Sequence, residues 1–75
     1  MATARRRLRL TFPSGLIHEP IIYRLVKDFD ILVDIRGAET ATDPGLVTLE
    51  TDADEERLAR GIAWLTEQGV KVEMS

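Results

Sequence analysis

His18 stands beside Glu19, and a histidine next to a carboxylate is a pair that can move a proton near neutral pH. The chain offers that pair little to act on. It has no cysteine, which removes thiolate nucleophiles, disulfides and cluster ligation from these residues. Ser14 lies in a run of turn formers, not in a nucleophile–base–acid arrangement. A single histidine provides too few ligands for a zinc site. Asp52, Asp54, Glu55 and Glu56 concentrate acid but lack the glycine and spacing of a calcium loop. Their place just ahead of an apolar stripe suits helix capping, with Asp52 and Asp54 both able to cap and Asp52–Glu55 at capping-box spacing. No glycine-rich phosphate loop is present. No catalytic residue, metal ligand or cofactor is therefore expected within the chain.

What remains is binding chemistry. The net charge of −3 is unevenly spread over 75 residues. Met1 to Arg36 carries seven basic and four acidic side chains, and Gly37 to Ser75 three basic and nine acidic. Such a dipole can steer partners or favour self-association. Arg5, Arg6 and Arg7 form a basic run, but an acidic total and few aromatics argue against nucleic acid. No apolar run approaches a membrane span, and the arginine-rich start is not followed by the apolar stretch of a secretory signal. Trp64 falls at the edge of a helical stripe, a place for a core-rim residue or a partner anchor.

The elements that position these residues follow from periodicity. Leu8, Leu10 and Phe12 alternate with Arg7, Arg9 and Thr11, which reads as a half-buried strand closed by Pro13-Ser14-Gly15. Pro20 suits the first turn of a helix over Glu19 to Asp28, with Ile22, Leu25, Val26 and Phe29 as its stripe. Ile31, Val33 and Ile35 point inward from a second strand, and Gly37 suggests either a bulge or a close backbone approach. Thr42-Asp43-Pro44-Gly45 is a turn. Leu46 to Thr51 is a third strand, with Val47 and Leu49 inward. A second helix covers Asp54 to Gln68, with Leu58, Ile62 and Leu65 inward and Gly69 ending it. Val70, Val72 and Met74 form a last strand. The order βαββαβ is the split βαβ, ferredoxin-like α+β arrangement: a four-stranded antiparallel sheet in order 4-1-3-2 with two helices on one face. One domain spans residues 1–75, with 1–6 expected to be a flexible lead-in. The expected core is Leu10, Leu25, Phe29, Val33, Ile35, Leu49, Ile62, Leu65 and Val72. Arg7, Arg9, Thr11, Asp34, Arg36, Thr48, Glu50, Lys71 and Glu73 belong to the other sheet face.

Several of these segments together resemble the NIL domain family over about residues 7–73. They are Leu8-Arg9-Leu10-Thr11-Phe12, Glu19-Pro20-Ile21-Ile22-Tyr23-Arg24-Leu25, Phe29, Val33-Asp34-Ile35-Arg36, Ala63-Trp64-Leu65 and Gly69-Val70-Lys71-Val72-Glu73. The resemblance implies a ferredoxin-like, non-enzymatic regulatory or accessory domain. Such domains end the ATPase subunit of bacterial methionine importers, where they bind methionine and inhibit transport when it is plentiful inside the cell. Others precede a four-iron four-sulfur ferredoxin module in sulfur assimilation, or stand alone, and Pro20-Ile21-Ile22-Tyr23 is closer to these. The name-giving Asn-Ile-Leu falls on Asp34-Ile35-Arg36, so an acid and a base flank the isoleucine here.

Two readings follow. The first is a sensor of a sulfur amino acid such as methionine, with Asp34, Ile35 and Arg36 at the ligand. The second is a module that docks a ferredoxin, a sulfur-transfer partner or a transporter component. The resemblance also implies a cytoplasmic domain that forms homodimers. The second strand should lie at a sheet edge, so Leu32, Asp34 and Arg36 are the candidate interface.

Overall fold

The alternation of the first strand and the stripes of the two helices are realised in the computed structural model, which describes residues 4–14, 18–39, 41 and 43–74, with only the backbone of His18 and Glu19. The elements are β1 (Ala4–Phe12), α1 (His18–Phe29), β2 (Leu32–Glu39), β3 (Gly45–Ala53), α2 (Glu55–Glu67) and β4 (Lys71–Met74). All strand pairs are antiparallel and the sheet order is β2-β3-β1-β4, the expected 4-1-3-2 read from its other edge. This is the ferredoxin-like α+β fold. β1 begins at Ala4 and β3 runs on to Ala53, so the central pair is longer at one end than the alternation alone suggested.

Leu8, Leu10 and Phe12 of β1 and Val47, Leu49, Thr51 and Ala53 of β3 turn to the helix-covered face and are buried. Ile22 and Leu25 of α1 and Leu58 and Leu65 of α2 close over them, with Ile31 and Val70 from the chain just ahead of β2 and β4. Thr51 is the buried polar side chain of this layer, and its hydroxyl donates to the Arg6 carbonyl at 3.3 Å. The helices approach closely at Gly61. A Cβ there would come within 2.7 Å of Ile31 Cδ1 and 3.0 Å of Leu25 Cδ1, so a side chain would force two buried residues aside.

Helix ends are closed by local chemistry. Asp54, and not Asp52, caps α2, accepting from the Arg57 backbone N–H at 2.7 Å. Glu55 and Glu56 occupy the positive end of the helix dipole. At the other end Gly69 adopts φ 92°, Gly69 N–H donates to the Thr66 carbonyl and Val70 N–H to that of Leu65. That is a Schellman ending, with buried Val70 and Leu65 as its apolar contact. Asp30 takes a left-handed φ of 54° after α1, a conformation aspartate tolerates, and accepts Arg57 of α2 at 3.3 Å.

Six expectations about the core are corrected. Ile35 points to the helix side but is 53% exposed, because β2 is an edge strand along which neither helix packs closely. Phe29, Val33, Ile62 and Val72 are only partly buried and pack against the margin of the core. Val26 is exposed, and Ile21 takes its place against the core. Trp64 is a rim residue as its spacing suggested, 5.5 Å from the Phe29 ring with the Arg24 guanidinium 5.2 Å from its own. Leu25→Ala should therefore cost about 2–5 kcal/mol, a large share of the roughly 4–11 kcal/mol a domain of this size has. Ile35→Ala should cost about 1 kcal/mol or less, like other exposed sites. Urea unfolding of both variants checks the assignment, and an Ile35→Ala loss equal to that of Leu25→Ala would overturn it.

Candidate functional site on the open sheet face

Burying Leu8 and Leu10 under the helices sends Arg5, Arg7 and Arg9 to the opposite, uncovered face of β1. The same rule places Thr48, Glu50 and Asp52 there from β3, Leu32, Asp34 and Arg36 from β2, and Lys71 and Glu73 from β4. Register then decides who meets whom. Glu50 is opposite Arg7 on one side and Asp34 on the other.

Two carboxylates facing each other across strands would repel. The register shift between Ile35 and Gly37 removes that conflict. It leaves Arg36 as an extra residue, and its guanidinium reaches both acids, Glu50 at 3.1 Å and Asp34 at 3.4 Å. Arg7 bonds the other oxygen of Glu50 at 3.0 Å, and Arg5 stands 3.7 Å from Glu50. Glu50 is thus the hub of three guanidiniums, with its side chain only 18% exposed. Hydrogen bonds from Arg7 and Arg36 hold its carboxyl below the ordinary value of 4.5. The bond to Glu50 and the charge of Asp34 raise the Arg36 pKa above its ordinary value. Beside this hub Asp52 has one carboxylate oxygen buried with no hydrogen-bond partner, in register with Arg5 and Leu32.

The structure brings Asp34 and Arg36 together and sets Leu32, 68% exposed, in the same row. Ile35 is not with them, since alternation turns it to the other face. Glu50 is the residue that pattern reasoning missed as a site. Its sharing of the polar face was legible, but its place between Arg7 and Arg36 depends on register and on the bulge. The row offers an apolar side chain, an acid and a base at successive outward positions, a set whose charges complement a small zwitterion. Among the described residues no group of three or more histidine, cysteine or acidic side chains is placed to hold a metal ion. The His18 and Glu19 side chains, the one proton-moving pair considered from sequence, lie outside the described residues.

The Glu50 hub has a pH signature. A carboxyl whose folded pKa is depressed stabilises the fold above its unfolded value, about 4.3, and that contribution is lost as pH falls through the folded value. Glu50→Gln should be less stable than the parent near neutral pH, with the gap closing below about pH 4. Urea melts at the two pH values test this, and an equal gap at both would show that the hub carries no linked proton.

Comparison with known proteins agrees with this architecture. Residues 6–74 match the model of the NIL domain family. The methionine import ATP-binding protein MetN of Helicobacter hepaticus (strain ATCC 51449 / 3B1) is 29% identical over 69 residues, covering 87% of this chain. The chain spans only 20% of that relative's length. The crystal structure of the C-terminal domain of an ABC transporter / ATP-binding protein from Enterococcus faecalis superposes with a TM-score of 0.78 at 20% identity, over 92% of this chain and 81% of that one, and shares the fold. With the family model covering the chain from β1 to β4, this protein belongs to the NIL domain family.

Proposed function

We propose that the chain is a non-enzymatic regulatory domain that senses a sulfur amino acid, with methionine as the favoured ligand, in methionine import or sulfur assimilation. Family membership and a relative named as a methionine import ATP-binding protein support this reading. The observation that carries it is the outward row Leu32, Asp34 and Arg36 on an edge strand. Successive positions in such a row are about 6–7 Å apart. An α-ammonium on Asp34, an α-carboxylate on Arg36 and an apolar side chain over Leu32 follow the polarity of that row. The Asp34–Arg36 pair is exposed, so a ligand that separates it loses little. The hub at Glu50 keeps Arg36 oriented while this happens. Such a sensor would work on the cytoplasmic side of an importer, with a transporter component as its partner.

A second reading, docking of a ferredoxin or sulfur-transfer protein, is favoured by the exposure of Leu32 and Ile35 on the two faces of one edge strand. Thermal shift separates the two. A ligand at about ten times its Kd stabilises by about 1.4 kcal/mol, which raises Tm by roughly 6–11 °C in a domain this small. L-methionine should produce such a shift in the parent chain, and Asp34→Asn or Arg36→Gln should abolish it. The absence of a shift with methionine, cysteine and homocysteine alike would leave the docking reading in its place.

Homodimerisation through β2 belongs to the same proposal. Edge strands carry unpaired backbone groups, and pairing of β2 with a second β2 would cover Leu32 and Ile35 together. Sedimentation should show concentration-dependent dimers, weakened by salt if Asp34 and Arg36 take part and by Leu32→Lys. A strict monomer at high micromolar concentration, with and without methionine, would overturn the interface.

A further inference from the structure

Arg36 meets both of its acids through one nitrogen. Its Nη2 stands 3.1 Å from Glu50 and 3.4 Å from Asp34. A guanidinium can hold a carboxylate at two points along either of two edges, Nε–Nη2 or Nη1–Nη2, and Nη2 belongs to both. A ligand carboxylate held in this way must therefore enter a nitrogen that Glu50 and Asp34 already use. With Asp34 turned to the ligand's ammonium, Glu50 is the acid left beside the incoming carboxylate. Two like charges at such a distance repel, and Glu50 would lower the affinity of the site unless its charge were answered from elsewhere.

The answer comes from β1. At Arg36 itself, β2 and β3 bring two acids, Asp34 and Glu50, against one cation. Register sets Arg7 opposite Glu50, and its guanidinium bonds Oε2 at 3.0 Å, whereas Arg36 bonds Oε1. Arg5 stands 3.7 Å from Oε1 but is in register with Asp52, a further acid of β3, so its charge is divided. Arg7 is thus the cation that meets Glu50 directly, from the side away from the ligand row. Its hydrogen bond is the largest of the influences that keep Glu50 ionised. Neighbouring strands lie about 4.8 Å apart, which places β1 about 10 Å from β2 across β3.

We propose that Arg7 is a positioning residue for the ligand site: by neutralising Glu50 it leaves the charge of Arg36 available to a ligand carboxylate two strands away. This rests on the sulfur amino acid reading of the Leu32, Asp34 and Arg36 row. Arg7 acts through Glu50, so its contribution exists only while Glu50 is charged. It also acts on one part of the ligand, the carboxylate, and leaves the ammonium and the apolar side chain untouched. The coupling is reciprocal: a ligand that draws on Arg36 leaves more of the Glu50 carboxylate to Arg7.

The test is a titration of the whole chain and its variants with L-methionine and with L-methioninol, in which a hydroxymethyl group replaces the carboxylate. Arg7→Gln should weaken L-methionine about fivefold, at the low end of coupling between sites because these ion pairs are exposed. L-Methioninol should change by less than about twofold. Arg7→Lys, which keeps the charge, should recover most of the loss. In a Glu50→Gln background no charge is left to neutralise, and adding Arg7→Gln should change L-methionine affinity by less than about twofold. Unchanged L-methionine affinity in Arg7→Gln, an equal loss for both ligands, or a loss that persists in the Glu50→Gln background would each overturn the role of Arg7 while the sulfur amino acid reading stands. No binding of L-methionine to the parent chain would overturn that reading, and the role of Arg7 with it.

Discussion

The structure depends on one constraint: the sheet buries a single face. Two helices cover Leu8, Leu10, Phe12, Val47 and Leu49, and none of the described residues forms a layer over the other side. With side chains alternating strictly along each strand, that choice assigns every remaining strand residue to a surface. A register slip of one residue would bring Arg7 and Glu50 under the helices and expose the leucines. The central β1–β3 pair is accordingly long and in unbroken register from Ala4–Ala53 to Phe12–Gly45. Chemistry that this domain performs has to be done on the uncovered face, at the sheet edges, or in the margins of the helix layer.

On the uncovered face, charge arrangement follows from the same constraint. Placing Asp34 opposite Glu50 is unfavourable taken alone, and the bulge at Arg36 answers it by inserting a cation between the two acids. Exposed ion pairs contribute little to stability one by one. Their value here is positional. Glu50 is largely covered by the arginines around it and holds three flexible side chains at one point, Arg36 among them. A strand without the bulge would leave Asp34 facing Glu50 with no cation between them.

Much of this was legible in the residues. The alternation of β1, the two helical stripes, the acidic start of α2 and the glycine at its end led directly to βαββαβ and to the sheet order. The failures share a cause. Ile35 alternates correctly and does face the helices, but the helix layer does not reach along that edge strand, and periodicity carries no information about how far a neighbouring element extends. Val26 and Ile21 exchange places for the same reason, because the spacing of apolar residues fixes a stripe but not its rotation against the partner helix. Asp52 and Asp54 have nearly equal claims as a cap in sequence. The continuation of β3 to Ala53 decides for Asp54. Asp34 and Arg36 could be placed on one face from parity alone, whereas Glu50 emerged as their centre only once register was known.

The edges follow from the same economy of secondary structure. A four-stranded open sheet has two, β2 and β4 here, and they differ in character. β2 is long and ends one side with Leu32 and Ile35 exposed on opposite faces, so its backbone edge is accompanied by apolar surface. Among the described residues β4 is short and carries Lys71 and Glu73 along its length. Beside it the Arg6 guanidinium bonds the Arg5 carbonyl and Glu55 of α2, which ties the start of β1 to the helix layer. Stability is therefore concentrated in the β1–β3 pair and the helices over it. A change at one margin need not pass through the core to reach the other, because the Glu50 hub touches Arg5 and Arg7 on one side and Arg36 on the other.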